Sequence, residues 1–167
     1  MKNRFIALLG CAALAGAGTT SAAEQTYNVN FSGDQEVPGP GDADGTGLGT
    51  ITINDGTGAI SWNFTYANID APTAMHIHGP NGSVGQSAGV LVGLGVTTTG
   101  GSNTLIGSTS TSTANAAAIL ADPADFYVNI HNGAFPGGAI RGQVPEPGSF
   151  ALLALGGAGL LLRRRRS

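Results

Sequence analysis

The three histidines of this 167-residue chain are the residues whose type and spacing point most directly to chemistry. His76 and His78 alternate with the apolar residues Met75 and Ile77, which predicts a β-strand with both imidazoles on one face. A third imidazole from a neighbouring strand, that of His131, would complete a set of three nitrogen donors. Zn and Cu are the metals that such a donor set suits.

His131 and Arg141 are expected to lie on the same face of the sheet. Apolar residues alternate with His131 along one strand, and Ile140 precedes Arg141 on the next. We therefore expect both side chains to face solvent, and Arg141 to stand near the open coordination position, where it would attract an anion. The spacing alone does not establish that the strand of His131 lies beside the strand of His76.

Three interpretations of the histidines are open at this point. They form a metal site, or they are surface residues that hydrogen-bond to loop carbonyls, or they belong to a proton-sensitive or anion-binding patch around Arg141. No carboxylate or thiolate stands at a diagnostic spacing beside the His-x-His pair, and no nucleophile has an adjacent base, so no catalytic residues are assigned. The sequence favours a protein that acts by binding or structure, with a redox or hydrolytic Cu or Zn site as the alternative.

A second candidate cation site is the segment from Gly41 to Gly47, which contains Asp42 and Asp44. An Asp-x-Asp-Gly sequence resembles the opening of a calcium loop, because hard cations need several oxygen ligands on a tight turn. The later ligands of an EF-hand, including its bidentate glutamate, are missing. A solvated turn between two strands is therefore the favoured interpretation.

Period-two alternation of apolar and polar residues runs through most of residues 24–144. It predicts a hairpin over residues 48–66 and further short strands around each histidine. One helix is predicted over Ala114–Leu120, and the Thr/Ser/Gly-rich stretch Thr97–Thr113 is expected to be mostly loop. We predict an all-β domain, an antiparallel Greek-key sandwich or barrel with one short helix.

The charge of this domain excludes one class of partner. Between residues 24 and 144 the chain has one basic residue, Arg141, and nine acidic residues, which gives a net charge of −8. A surface of that charge repels a phosphate backbone, so the sequence excludes nucleic-acid binding.

Residues 1–23 have the layout of a secretory signal peptide. Lys2 and Arg4 form a positive region, Phe5–Gly18 is an apolar stretch too short for a membrane span, and small residues precede Glu24. The only cysteine, Cys11, would be removed with this segment, which leaves the exported domain without a disulfide. The residues before Cys11 also resemble a short lipobox, so lipidation is the minor alternative.

The C-terminal residues 145–167 combine three features in a fixed order. A Pro-Glu-Pro triplet is followed by the apolar segment Phe150–Leu162, whose thirteen helical residues rise only about 20 Å, and then by an arginine cluster. This arrangement resembles a PEP-CTERM sorting signal. The residues that carry the resemblance are Pro145, Glu146, Pro147, Arg163, Arg164, Arg165 and Arg166.

The resemblance to a PEP-CTERM signal implies a route through the cell envelope. It implies processing by a membrane exosortase in a Gram-negative bacterium, transient anchoring in the inner membrane by an apolar helix, and a final position at the cell surface or in the extracellular matrix. The implied partners are the secretion machinery and the exosortase, together with exopolysaccharide or envelope proteins.

The domain itself resembles the CHRD family, named after chordin, over residues 27–144. The motifs that carry the resemblance are Phe31–Pro38, Asp44–Gly47, Ala74–Pro80, Phe126–Asn132 and Phe135–Val144. The sequence departs from the family pattern at Asn132 and Ala139. Chordin is an extracellular protein that binds growth factors, so the resemblance implies a fold and an extracellular location more than a particular activity.

Overall fold

The computed structural model describes residues 22–96 and 103–146, which form an eight-stranded antiparallel β-sheet with one α-helix. The strands are β1 (Glu24–Ser32), β2 (Thr46–Asn54), β3 (Ala59–Ala67), β4 (Pro72–His78), β5 (Val90–Leu94), β6 (Thr104–Ser110), β7 (Tyr127–Asn132) and β8 (Ile140–Gln143). The α-helix is α1 (Thr113–Ala121), and two 3₁₀ turns occupy Gly33–Gln35 and Pro123–Asp125.

The strand order in the sheet is β5-β4-β7-β8-β1-β2-β3-β6. Neighbours that are distant in sequence, such as β4 with β7 and β3 with β6, require long crossovers of the Greek-key kind. The two edge strands β5 and β6 approach each other, so the sheet is nearly closed into a barrel. The predicted all-β antiparallel fold with one short helix is confirmed.

The elements follow the predicted alternation closely. The predicted hairpin over residues 48–66 is β2 and β3, which pair from Thr46 with Ala67 to Ile53 with Ile60. The Thr/Ser/Gly-rich stretch is predicted to be mostly loop, but its residues from Thr104 to Ser110 form β6. They do so because β3 offers them a full partner edge.

The short helix α1 begins where a side chain satisfies its first free amides. The Ser112 hydroxyl accepts a hydrogen bond from the amide of Asn115 at 3.1 Å, as an N-cap does. The helix buries Ala116 and Ile119 and ends at Ala121, one residue before Asp122, and Pro123 then opens a 3₁₀ turn.

The barrel interior is filled by the apolar side chains of alternating positions. Each strand contributes residues with almost no exposed surface, among them Ile51, Phe64, Met75 and Ile130. Burial of these side chains is the main stabilising contribution to the fold, since each fully buried residue of this size contributes about 1.5–3 kcal/mol.

The neighbouring strands β7 and β8 are covered on both faces, which differs from the sequence prediction. Every residue of β7 is buried, and Arg141 on β8 is 1% exposed. Residues 79–89, the loop between β4 and β5, lie over the outer face of these strands, where Arg141 donates to the carbonyls of Gly82 and Gln86. The expectation that His131 and Arg141 face solvent is therefore wrong.

The predicted signal peptide lies almost entirely outside the described residues, as do Cys11, the apolar segment Phe150–Leu162 and the arginine cluster. Of the Pro-Glu-Pro triplet, the structure describes Pro145 and Glu146. In the portion that the structure describes, no helix is both long and apolar enough to span a membrane.

The turn between β2 and β3 generates a prediction about stability. Gly58 has φ of +71°, and a β-carbon at this position would collide with the backbone carbonyl of Thr111. We expect Gly58→Ala to lower the free energy of unfolding by more than about 2 kcal/mol, because it adds a clash with backbone to left-handed strain. Chemical denaturation of the variant measures this loss.

Gly85 is the matched control, since its φ is +80° but a β-carbon added there would have no atom within 4 Å. Gly85→Ala should lose only about 1–2 kcal/mol, the cost of left-handed backbone alone. Equal losses in the two variants would show that contact with Thr111 does not constrain the hairpin.

Candidate metal centre

The three histidines come together because β4 and β7 are neighbours in the sheet. Ala74 pairs with His131 and His76 pairs with Asn129, which places His131 diagonally opposite His76 on the outer face. His78 is on the same face, two residues along β4. One ligand atom from each of the three rings lies within 4.8 Å of the other two.

Hydrogen bonds to loop carbonyls orient two of the rings. His78 Nδ1 lies 2.9 Å from the Ala88 carbonyl oxygen, and His131 Nδ1 lies 3.1 Å from that of Pro136. A carbonyl only accepts, so each Nδ1 carries the proton and each Nε2 keeps its lone pair in the neutral ring. Both lone pairs are then free of the carbonyls that hold the rings.

The two inward nitrogens have different surroundings. His131 Nε2 lies 3.1 Å from His76 Nδ1, so His76 donates a hydrogen bond to it. His78 Nε2 is buried and has no hydrogen-bond partner. A buried nitrogen without a partner costs free energy, and a bound cation would supply that partner.

Burial keeps the three imidazoles neutral. It is the largest cause that lowers the pKa of His76, His78 and His131 below the usual 6.5, and the neighbouring imidazoles lower the pKa of His78 and His131 further. Neutral imidazole is the form that coordinates a metal. The ring of His76 is only half-buried, so the cluster opens to solvent on that side.

Arg141 has a different environment from the one the sequence predicts. It is almost fully buried, and its guanidinium donates to the carbonyls of Gly82, Ser83 and Gln86 and to the side-chain oxygen of Gln143. The expected solvent-facing position beside the histidines is not found. Its anion-binding role stays a prediction, and these carbonyl contacts give it no support.

Tyr127 is a site residue that the sequence analysis missed. Its ring stacks on His78 with centroids 4.8 Å apart and planes 9° apart, and the Arg141 guanidinium carbon lies 3.5 Å from its centroid. The sequence did hold one signal: Tyr127 and His131 both alternate with apolar residues on β7, so they share a face of the sheet. The covering loop, which contacts the Tyr127 hydroxyl at Ala88, makes this part of the face an interior one.

Glu36 and Asn129 form a second buried polar pair near the cluster. Asn129 donates to the Glu36 carboxylate at 3.2 Å, and Gly138 packs so closely that a β-carbon there would meet both side chains. Burial raises the pKa of Glu36 from 4.5 to about 7, although Asn129 and Arg141 both favour its charged form. Their separation of 93 positions leaves no sequence signal for this contact.

The segment with Asp42 and Asp44 forms a turn against β8. The amide of Asp42 donates to the Ala139 carbonyl at 2.8 Å, and the Asp42 carbonyl accepts from Gly45 at 3.0 Å. This arrangement agrees with the turn that the sequence analysis favours over a calcium loop.

The part of the chain that the structure describes is an antiparallel, nearly closed β-domain with a partly buried cluster of three histidines. A family model of the CHRD domain matches residues 27–144, so the chain belongs to the CHRD domain family. A model of the PEP-CTERM protein-sorting motif matches residues 143–166. The protein is therefore exported and sorted by an exosortase. Neither curated proteins nor solved structures give a significant match.

The buried carboxyl of Glu36 generates a prediction about pH. Its raised pKa means that the unfolded chain loses this proton from about pH 4.5, whereas the folded domain holds it to about pH 7. Glu36 therefore destabilises the fold progressively as the pH rises through that window, and by a constant amount above it. We expect the melting temperature of Glu36→Gln, relative to the unsubstituted protein, to rise over the same window.

Asp34 is the control, because it is exposed and lies in the same segment. Thermal melts of Asp34→Asn and Glu36→Gln at several pH values separate the local effect from the change in net charge. If the melting-temperature difference from the unsubstituted protein changes with pH in the same way for both variants, the buried position of Glu36 has no influence on its titration.

Proposed function

We propose that the protein is a metal-binding module that acts outside the inner membrane, with Cu or Zn held by His76, His78 and His131. The observation that carries the proposal is the convergence of three imidazole nitrogens within 4.8 Å. Carbonyl groups orient two of these rings through their other nitrogen, as the outer partners of metal-binding histidines commonly do.

The dimensions of the cluster suit a transition metal. Zn–N bonds of about 2.0–2.1 Å in a tetrahedral site place neighbouring ligand nitrogens roughly 3.3 Å apart. The His76–His131 nitrogens are 3.1 Å apart, which is already close to that spacing. The third ligand atom, from His78, lies within 4.8 Å of the other two and would have to move closer on binding, and His76 would move its Nδ1 proton to Nε2.

The donor set also selects the class of metal. Three neutral imidazoles suit Cu or Zn, whereas Ca and Mg require oxygen ligands. Three protein ligands leave a further coordination position, which would face the half-exposed side of His76. We favour a binding function over an enzymatic one because the sequence shows no nucleophile with an adjacent base. A redox or hydrolytic reaction at the same metal is the alternative.

The location follows from the two terminal segments. We propose that residues 1–23 are removed as a signal peptide, that residues 24–144 are the working domain, and that residues 145–167 are the processed sorting segment. The module would then act at the cell surface or in the extracellular matrix, with exopolysaccharide or envelope proteins as its partners. Arg163–Arg166 would hold the precursor in the inner membrane before processing, because clustered arginines stay cytoplasmic.

Metal analysis of the exported protein tests the proposal. We expect about one Cu or Zn per chain in protein purified from its host, and loss of that metal in the His76→Ala/His78→Ala double variant, because two of three ligands are removed. Mass spectrometry of the native protein measures the stoichiometry. The Asp42→Asn/Asp44→Asn double variant is the control for surface binding and should retain the metal.

Protein that binds neither Cu nor Zn with micromolar affinity or better, although correctly folded, would remove the proposal. The proposal is also wrong if the His76→Ala/His78→Ala variant retains as much metal as the unsubstituted protein. Retention of metal by the histidine variant together with its loss from the aspartate variant would move the site to the turn before β2.

Processing of the C-terminus is tested separately. Replacing Pro145, Glu146 and Pro147 by alanine should block exosortase cleavage, so that a longer precursor accumulates in the inner-membrane fraction. Intact-mass measurement and fractionation of the host cells report both effects. Replacement of exposed Asp122 by alanine is the control, and normal cleavage of the triple variant would assign sorting to another feature.

A further inference from the structure

We propose that Arg141 is a positioning residue for the metal centre, which acts through the loop of residues 79–89 and not on an anion. The inference rests on the proposed metal site, and it assigns a role to the only basic residue between residues 24 and 144. Arg141 contacts the loop, and Ala88, near the end of that loop, contacts His78.

Arg141 holds the loop by its main chain. The two terminal nitrogens of its guanidinium donate to the carbonyls of Gln86 at 2.6 Å, Gly82 at 2.7 Å and Ser83 at 3.1 Å. These carbonyls come from a segment without regular secondary structure; that of Gly82 also accepts from the Gln143 side chain and that of Ser83 from the Gln86 amide, whereas Arg141 contacts all three. A planar guanidinium with several fixed donors can bind such a group of carbonyls, whereas a lysine ammonium cannot reproduce the geometry.

Tyr127 connects the same loop to the histidine. Because β7 lies between β8 and β4, the Tyr127 ring lies between Arg141 and His78. Its hydroxyl donates to the Ala88 carbonyl at 3.3 Å and accepts from the Ala88 amide at 3.3 Å. The stacked rings and the guanidinium therefore hold the loop and the His78 imidazole in one arrangement.

Ala88 then determines which nitrogen of His78 faces the cluster. Its carbonyl accepts a hydrogen bond from Nδ1 of His78 at 2.9 Å, which leaves Nε2 buried with its lone pair and no hydrogen-bond partner. If the loop leaves the outer face, this constraint disappears and His78 can rotate or change tautomer. Loss of such an outer partner commonly lowers metal affinity by about 10- to 100-fold.

Titration of the exported, processed protein with Cu²⁺ against a competing chelator tests the inference, and electron paramagnetic resonance of the complex counts the coordinated imidazole nitrogens. We expect Arg141→Lys to lower the affinity by about 10- to 100-fold and to reduce the nitrogen count by one, because a lysine keeps the charge but releases the loop. Circular dichroism establishes that the variant is folded.

Tyr127→Phe is the second variant, since it removes only the hydroxyl that contacts Ala88. We expect a smaller loss of Cu²⁺ affinity, about tenfold, with the same change in the spectrum. Tyr27→Phe is its matched control, because the Tyr27 hydroxyl is also buried but has no hydrogen-bond partner and lies on the apolar side of β1. This control should bind Cu²⁺ as the unsubstituted protein does.

The outcomes separate the two proposals. If the unsubstituted protein binds no Cu²⁺ or Zn²⁺, the proposed function itself fails. If it binds Cu²⁺ and folded Arg141→Lys or Tyr127→Phe matches it in affinity and spectrum, the metal site stands and the positioning role is wrong. If Arg141→Lys does not fold, the comparison of Tyr127→Phe with Tyr27→Phe decides, and equal behaviour of those two variants overturns the inference.

Discussion

The loop of residues 79–89 is a stretch of main chain laid over the face of a sheet, and its carbonyl groups must find donors there. Buried carbonyls without partners would cost free energy that a domain of this size cannot spare. Arg141 supplies donors to three of these carbonyls from β8, and Gln143 and Asp125 add further hydrogen bonds that hold the loop closed. The position of the His78 imidazole and that of the Tyr127 ring depend on that closure, since both contact Ala88.

The two faces of the sheet consequently perform different tasks. The inner face carries the apolar side chains that stabilise the barrel, and the outer face of β4, β7 and β8 carries a layer of polar side chains under cover. In that layer, removal from water keeps imidazoles neutral and holds a proton on Glu36 close to neutral pH. A solvent-exposed face with the same residues would have neither property.

The sequence was sufficient for the parts that depend on periodicity. Alternation predicts the hairpin of β2 and β3 and the common face of His76 and His78, because side-chain direction on a strand has a period of two. The burial of that face could not be predicted from alternation. The covering loop, from Gly79 to Gly89, has no periodic pattern, and it is held by contacts with residues distant in sequence, such as Asp125 and Arg141. The alternation of side chains along a strand shows which face of the sheet a residue occupies, but not which segment covers that face.

The structural and the metal-binding interpretations of the histidines are compatible in this geometry. His78 and His131 do hydrogen-bond to loop carbonyls, as the structural interpretation expects, but each bond uses only Nδ1. A histidine kept solely to hold a loop would gain from a donor to its second nitrogen, and His78 Nε2 is buried without one. The carbonyl bonds therefore fix both rings through Nδ1, while Nε2 of His78 has no partner and Nε2 of His131 contacts only the His76 imidazole, which is the arrangement that favours coordination over a purely structural role.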